Sequence, residues 1–291
     1  MKNLKFLLIA AIVVLASMNG FGQAAGVIKP PKYPDGVYTK ENTRTRRAIP
    51  YAHLREADVM WSKRIWRVID LREKINHTLY YPDQPILDRK SLFDVIKDAA
   101  LNNGTITLFD QATVDDEFRY DMTKSEIEKA LVRWDSTHQA EDPNNPGTMI
   151  SAPIKEETTS DKIWKYWVKE DWFFDRQRSV LDVRIIGICP LIEKISETGE
   201  HLGGDKALFW VYFPEARPIF ANQEVFMRHN DAERRTLEDI FWKRMFTSYV
   251  RKESNVYNRG IYDYKTGLYQ LLEADRVKND IFMYEHDLWH F

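Results

Sequence analysis

Two histidines near the C-terminus have the spacing of a helical metal site. His286 and His290 stand four residues apart, so on a helix both imidazoles would project from one face, as zinc ligands do. A metalloprotease helix has a glutamate general base directly after the first histidine, where this sequence has Asp287. The sequence stops at Phe291, so a third ligand would have to come from elsewhere in the fold. Surface or packing histidines are the simpler interpretation, and a metal-dependent hydrolase using His286 and His290 is kept as an alternative function.

Other residues that could do chemistry have unfavourable surroundings. Cys189 is the only cysteine and lies in an apolar segment without a basic neighbour that would make the thiol reactive, so we expect a small buried hydrophobe and not a nucleophile. The acidic run Asp115, Asp116 and Glu117 could pair for acid–base catalysis, but a solvated loop explains it more simply. The sequence has no glycine-rich phosphate loop, nucleophile elbow or cysteine zinc cluster. We therefore predict no catalytic residue, no metal and no cofactor.

Aromatic residues beside arginines point to binding instead. The chain has nine Trp, fourteen Tyr and fifteen Phe. Trp, Tyr and Arg dominate binding hot spots because they bury a large area and keep a polar group. Exposed Trp and Tyr also stack on sugar rings, so a glycan-binding module is a second alternative. The residues that we expect at a partner interface are Trp61, Arg64, Trp66, Trp242, Arg244, Arg259 and Tyr264.

The N-terminus has the organisation of a secretory signal peptide. The basic segment 1–5 precedes an apolar run over residues 6–16, which is too short to span a bilayer. Small residues follow, so we predict cleavage between Gly22 and Gln23, with an uncleaved anchor as the alternative. No cysteine stands at the cleavage point, so the protein is not expected to be a lipoprotein. Loss of two lysines with this peptide takes the formal net charge from −2 to −4, which suggests neither nucleic acid nor an anionic membrane as a partner.

The elements that must position these residues form a mixture of helices and strands. Residues 23–50 are rich in proline and lack periodicity, so they are a disordered tail or an extended arm that lies on a neighbouring subunit. The next segment repeats apolar residues near the helical period and predicts a long amphipathic helix, with Val59, Met60, Ile65, Trp66, Ile69 and Ile75 on its apolar face.

Capping residues predict further helices. Ser91 begins one that runs to residue 101, and Thr123 with Glu126 forms a capping box at the start of another. Asp231 caps a helix expected over residues 231–253.

Strands are predicted between these helices. They are residues 105–109, 180–188 and 207–213, and a long loop is expected at 141–161. The class is therefore α+β, with amphipathic helices packed on short antiparallel strands.

The domain organisation follows from these segments. A signal peptide over 1–22 and an arm over 23–50 precede one globular domain over 51–291, with two lobes divided near 142–160 as an alternative. Residues 58–66 and 239–246 resemble each other, which suggests an internal pseudo-repeat; chance similarity of two amphipathic helices is the alternative.

Several strings of residues resemble one protein family. They are 58–66, 71–76 and 80–82 in the first half, and 253–259, 263–264 and 285–289 near the end. These strings resemble the gliding-motility protein family GldN, also called PorN, over essentially the whole mature chain.

The resemblance implies a role without known enzymatic activity. Members of the family are periplasmic components of the type IX secretion system, which is needed for gliding where gliding occurs. They join the lipoprotein GldK (PorK) in rings beneath the outer membrane and contact the motor protein GldM (PorM). The implied partners are these two proteins and further copies of the chain, without membrane insertion of its own.

Overall fold

The computed structural model describes residues 46–288, apart from 87–88, 111–115, 136–138, 142–148, 152–153, 197–200, 228–229 and 231. The chain divides into two units, 1–42 and 43–291. The predicted signal peptide, its cleavage between Gly22 and Gln23, and most of the arm over 23–50 therefore lie outside the described residues. They stay predictions, as does the division of the chain into domains.

The described residues form both helices and strands. The helices are α1 His77–Tyr80, α2 Leu92–Lys97, α3 Lys124–Leu131, α4 Phe213–Asn222, α5 Leu237–Trp242 and α6 Leu268–Asp287. The first strands are β1 Val59–Asp70, β2 Leu108–Phe109, β3 Val132–Asp135, β4 Gln139–Glu141, β5 Met149–Ser151, β6 Ile154–Glu157 and β7 Ile163–Asp175. The remaining strands are β8 Val180–Ile195, β9 His201–Ala207, β10 Trp210–Tyr212, β11 Glu224–Val225, β12 Arg235–Thr236 and β13 Tyr249–Glu253.

A seven-stranded antiparallel sheet organises the described part of the chain. Its strand order is β13-β1-β7-β8-β10-β2, and β9 pairs with β8. The central strands β1, β7 and β8 have 12, 13 and 16 residues, so they are longer than the short strands expected from the sequence. Helices pack on this sheet, which confirms the α+β class.

The long amphipathic helix predicted at the start of the globular part is wrong, because Val59–Asp70 is strand β1. Residues 65–69 are all buried, since both faces of the sheet are covered there. Ile65 packs in a cluster with α6, whereas its neighbour Trp66 belongs to a different cluster on the opposite face. A strand that is buried on both faces loses its period of two, so apolar spacing does not distinguish it from a helix.

The helix starts that depend on local hydrogen bonds are confirmed. The amide of Asp94 donates to the Ser91 hydroxyl at 3.1 Å and caps α2. Thr123 and Glu126 form the predicted capping box of α3. The predicted extension beyond α2 is present as a single π-helical turn over Asp98–Asn102. Such hydrogen bonds join residues within one turn, so both partners can be recognised in the sequence.

The helix predicted over residues 231–253 is much shorter. α5 is capped by the side chain of Thr236 and has six residues, while the predicted cap Asp231 lies outside the described residues. The chain turns through Arg244, which has a φ of 53°, and then enters β13. Pairing of β13 with β1 thus replaces the second half of the predicted helix.

The remaining predictions from sequence have mixed outcomes. The strand predicted over 180–188 is confirmed as part of β8. Of the strand predicted over 207–213, only Trp210–Tyr212 form β10, which pairs with β8, while Ala207 ends β9 and Phe213 begins α4. The loop expected at 141–161 contains β5 and β6. The pseudo-repeat is wrong, because 58–66 lies mostly in a strand and 239–246 lies in α5 and the turn after it.

Helix α6 covers one end of the sheet with a narrow apolar stripe. Ala274, Val277 and Ile281 recur at the spacing of one helix face and are buried. They form a cluster with Ile65, Val250 and Ile261. A larger cluster lies between the sheet and helices α2, α4 and α5. These two clusters fix helices α2, α4, α5 and α6 on the sheet.

Candidate partner interfaces

Three of the predicted interface residues lie on β1 and are engaged within the chain. The Trp61 ring stacks on a tyrosine of α6 at a centroid distance of 4.5 Å. Arg64 donates two hydrogen bonds to Asp171 of β7, at 2.6 and 2.8 Å. Trp66 is 7% exposed, and its indole N–H donates to the Asp116 carboxylate. These side chains stabilise the fold, and little of Trp66 is left for a partner.

Arg244 is paired with a fully buried carboxylate. Its guanidinium donates to Glu170 at 3.0 and 3.2 Å, and Glu170 is 0% exposed. The Trp172 indole N–H donates to the same carboxylate at 3.0 Å. Because a buried charge needs such partners, Arg244 has a structural role whether or not it also meets another protein.

Arg259 and Tyr264 lie together in the segment before α6. The Arg259 guanidinium is 4.7 Å from the ring centroids of both Tyr257 and Tyr264, so each ring face attracts the cation. The Tyr264 hydroxyl donates to Glu273 at 3.3 Å, and partial burial together with that charge raises the pKa of Tyr264. The assignment of these residues and of Trp242, which is 44% exposed, to an interface stays a prediction.

The outer side of α6 carries exposed apolar side chains near both ends of the helix, with charged residues between them, and no described residue covers these apolar side chains. It is the side of the helix opposite the stripe that packs on the sheet, and its apolar side chains are between 48% and 68% exposed. Two more apolar side chains precede the helix and are at least 75% exposed. We call this set the C-terminal surface: Val256, Tyr257, Leu268, Tyr269, Leu271, Leu272, Phe282 and Met283. So many exposed apolar side chains on one element are typical of a binding site for another protein.

The second surface holds the first described residues. Residues 46–52 include the end of the segment predicted as an arm over 23–50, and they alone are called the arm from here on. They lie on side chains of α4, α5 and β8. The Arg46 guanidinium donates to both carboxylate oxygens of Asp239, at 2.6 and 2.8 Å. The Tyr51 ring stacks on Trp242 at a centroid distance of 5.6 Å. Two side chains of the arm thus hold it in place, one through an ion pair and the other through a stacked ring.

Two arginines attach the main chain of the arm. Arg217 donates to the Ile49 carbonyl at 2.5 Å, and Arg184 donates to the Ala52 carbonyl at 2.6 Å. Arg217 also donates to Glu238 at 2.6 and 2.8 Å, and both of these side chains are buried. We call the residues that contact the arm the cradle: Arg184, Arg217, Asp239 and Trp242, with Glu238 behind them.

Of the cradle, sequence reasoning picked out only Trp242 as an interface residue, and it named none of the residues of the C-terminal surface. Arg217 and Asp239 stand on different helices, and no local pattern relates them to residues 46–52. For the C-terminal surface a pattern was present, because residues 268–287 place apolar side chains on two opposite faces of one helix.

The two-histidine pattern is only partly covered by the structure. His286 is exposed on α6, with Nδ1 3.6 Å from the Asp287 carboxylate, while His290 lies outside the described residues. Within the described ranges, no three His, Cys, Asp or Glu side chains are grouped so that they could hold a metal ion.

The prediction of a solvated loop is wrong at Asp116. The buried ammonium of Lys169 donates to the Asp116 carbonyl at 2.6 Å, and burial lowers the pKa of Lys169 while Asp116 opposes this effect. Asp116 therefore holds its segment on the sheet.

Cys189 is 0% exposed, which confirms the expectation of a buried residue. Burial raises the pKa of its thiol well above the usual value, so the reactive thiolate is scarce. We predict that a thiol reagent leaves the native protein unlabelled and labels one thiol per chain in urea. The control is Val256→Cys, at a position that is 98% exposed, which should react in the native state. Equal labelling rates for the native wild type and this control would contradict the prediction.

The structure is that of an α+β protein whose candidate sites are surfaces suited to contact with another polypeptide. Residues 54–290 match the family described as gliding motility associated protein GldN. The match covers most of the chain, so the chain belongs to this family and is a component of the gliding-motility and type IX secretion machinery. None of the curated proteins compared with it matches. In the described part of the chain, no helix is both long enough and apolar enough to cross a membrane.

Proposed function

We propose that the protein is a non-enzymatic structural component of this machinery in the periplasm. It assembles with the lipoprotein GldK (PorK) into a ring beneath the outer membrane and contacts the periplasmic part of the motor protein GldM (PorM). Membership of the family and the predicted signal peptide support this proposal.

The observation that carries the proposal is the C-terminal surface. Permanent interfaces are more hydrophobic than transient ones, because their surfaces are not exposed in the assembled state. In the proposed ring the lipoprotein stays next to the chain, and we expect a moving motor to make the less permanent contact. We therefore assign the C-terminal surface to the contact with the lipoprotein.

Co-purification tests the proposal. The mature chain is mixed with the lipoprotein lacking its acyl group, with the periplasmic part of the motor protein, or with both, and the mass is measured by size-exclusion chromatography with light scattering. We expect a stable high-mass complex with the lipoprotein and a further increase in mass with the motor protein. A chain that stays monomeric with both would contradict the proposed function.

A further inference from the structure

The arm lies on the surface of the folded chain and contributes no buried side chain to the core. None of the residues 46–58 is buried, and no hydrophobic cluster of the described chain includes any of them. The contacts of the arm are one ion pair, two main-chain carbonyls, and one tyrosine ring that stacks on a tryptophan and meets two arginine guanidiniums. These are contacts of a docked extended peptide. The arm can therefore leave the cradle without withdrawing a buried side chain from the core.

A short link joins the arm to the sheet. The Arg176 amide donates to the Asp58 carbonyl at 2.9 Å and fixes the end of the link next to β1. Residues 53–57 lie between this anchor and the arm, and they span at most about 17 Å when extended. A link of this length lets the arm reach its own cradle or the cradle of a copy packed directly beside it.

The cradle needs an occupant. Beneath Tyr51 lies a cavity of about 180 Å³ whose walls include Phe213 and Phe241, so loss of the arm would open apolar surface to water. The buried Glu238 already has one carboxylate oxygen without a hydrogen-bond partner, and burial raises its pKa. Removing the arm would also take the Ile49 carbonyl from the buried Arg217.

The chemistry of the cradle selects one kind of segment. The Asp239 carboxylate, which Lys243 approaches only to 3.7 Å, pairs at 2.6 Å with the cation at the position of Arg46. Two arginines and a tryptophan surround the aromatic ring of Tyr51. The cation and the ring are five positions apart in an extended chain. Another copy of this protein carries the same segment, so it satisfies each of these requirements.

We propose that in the assembled ring each cradle holds the arm of the adjacent copy; this inference rests on the ring assembly proposed above. Arm and cradle are different surfaces, so the exchange joins copies head to tail, and head-to-tail contacts repeated about an axis close a ring. An exchanged arm makes the same contacts as an arm docked within its own chain, so the exchange costs little free energy. The remaining contacts between neighbouring subunits then favour it.

Cross-linking between two cysteine variants tests the exchange. One tagged chain carries Arg47→Cys in the arm, and a second chain with a different tag carries Lys243→Cys in the cradle. The Lys243 ammonium lies 3.7 Å from Asp239, the partner of Arg46, so the two new thiols lie near each other when the arm is docked. The native Cys189 is buried and does not interfere. The two chains are mixed, assembled with the lipoprotein and treated with a short bismaleimide.

We expect a cross-linked product that contains both tags in the ring fraction. Replacing the cradle cysteine by Leu202→Cys, at a position on β9 that is also exposed, should remove this product. A chain that carries both Arg47→Cys and Lys243→Cys reports docking within one copy. Cross-linking only within that chain, in intact rings, would overturn the exchange and leave the proposed function standing. Failure of the wild-type chains to form rings, seen before any cross-linker is added, would overturn the proposed function and the exchange together.

Discussion

The variant Leu271→Gln/Phe282→Gln is expected to bind the lipoprotein partner roughly a thousandfold more weakly than the wild type, because each lost apolar anchor removes about 2 kcal/mol of binding free energy. Both side chains lie on the C-terminal surface and are 56% and 62% exposed, so their replacement leaves the buried stripe of α6 intact. Glutamine also favours the helix. The dissociation constant and the melting temperature are measured on the same preparation.

A matched control distinguishes a loss specific to the C-terminal surface from the general effect of replacing an exposed leucine by glutamine. Leu202→Gln makes the same substitution at a position that is 65% exposed, on β9. It should bind the lipoprotein like the wild type. Equal affinities for the double variant and Leu202→Gln would remove the C-terminal surface from this contact. If the double variant bound the motor protein more weakly but the lipoprotein normally, the C-terminal surface would be assigned to the contact with the motor protein.

Replacing Arg244 by methionine is expected to lower the free energy of unfolding by about 3 kcal/mol, because it leaves the buried Glu170 carboxylate without its cation. Glu170 is 0% exposed and, among the hydrogen bonds of the described residues, would keep only the one from Trp172. Methionine retains most of the length of the side chain, so the loss reports the charge and its hydrogen bonds. Urea denaturation followed by tryptophan fluorescence measures the change.

The control for this experiment lies one residue away on the same strand. Asp171 follows Glu170 on β7, and its partner Arg64 also makes two hydrogen bonds to the carboxylate. The side chains of Arg64 and Asp171 are 40% and 30% exposed, so water compensates for their separation. Arg64→Met should therefore cost no more than about 1 kcal/mol. Similar losses for Arg64→Met and Arg244→Met would show that burial does not decide the strength of these pairs.

Local features of the fold could be predicted from the sequence. Ser91 and Thr123 cap their helices through hydrogen bonds to residues three positions away, and the sequence displays both partners. The β-branched and aromatic segments that became β8 and β10 were also recognised. In contrast, β1 was taken for a helix because its apolar residues face two covered sides of the sheet, which removes the alternation that marks a strand.

The candidate sites could be predicted less completely. Trp61, Trp66 and Arg244 were chosen because aromatic residues and arginines dominate interfaces, and the structure engages each of them within the chain. The same residue types also pair in cores and across sheets, so composition does not separate the two roles. The exposed face of α6 had a visible pattern, because a helix that packs through one face has no structural need for apolar residues on the other.

The sequence by itself determined the family, the mixed class and the local helix caps, and it predicted the export signal. Motifs, composition and short-range hydrogen bonds can all be read along the chain. Only the tertiary structure decided which side chains are covered. It paired Arg244 with Glu170 across 74 positions and Arg46 with Asp239 across 193. Such contacts arise when a sheet brings distant segments together, and their strength depends on burial, which no spacing along the chain contains.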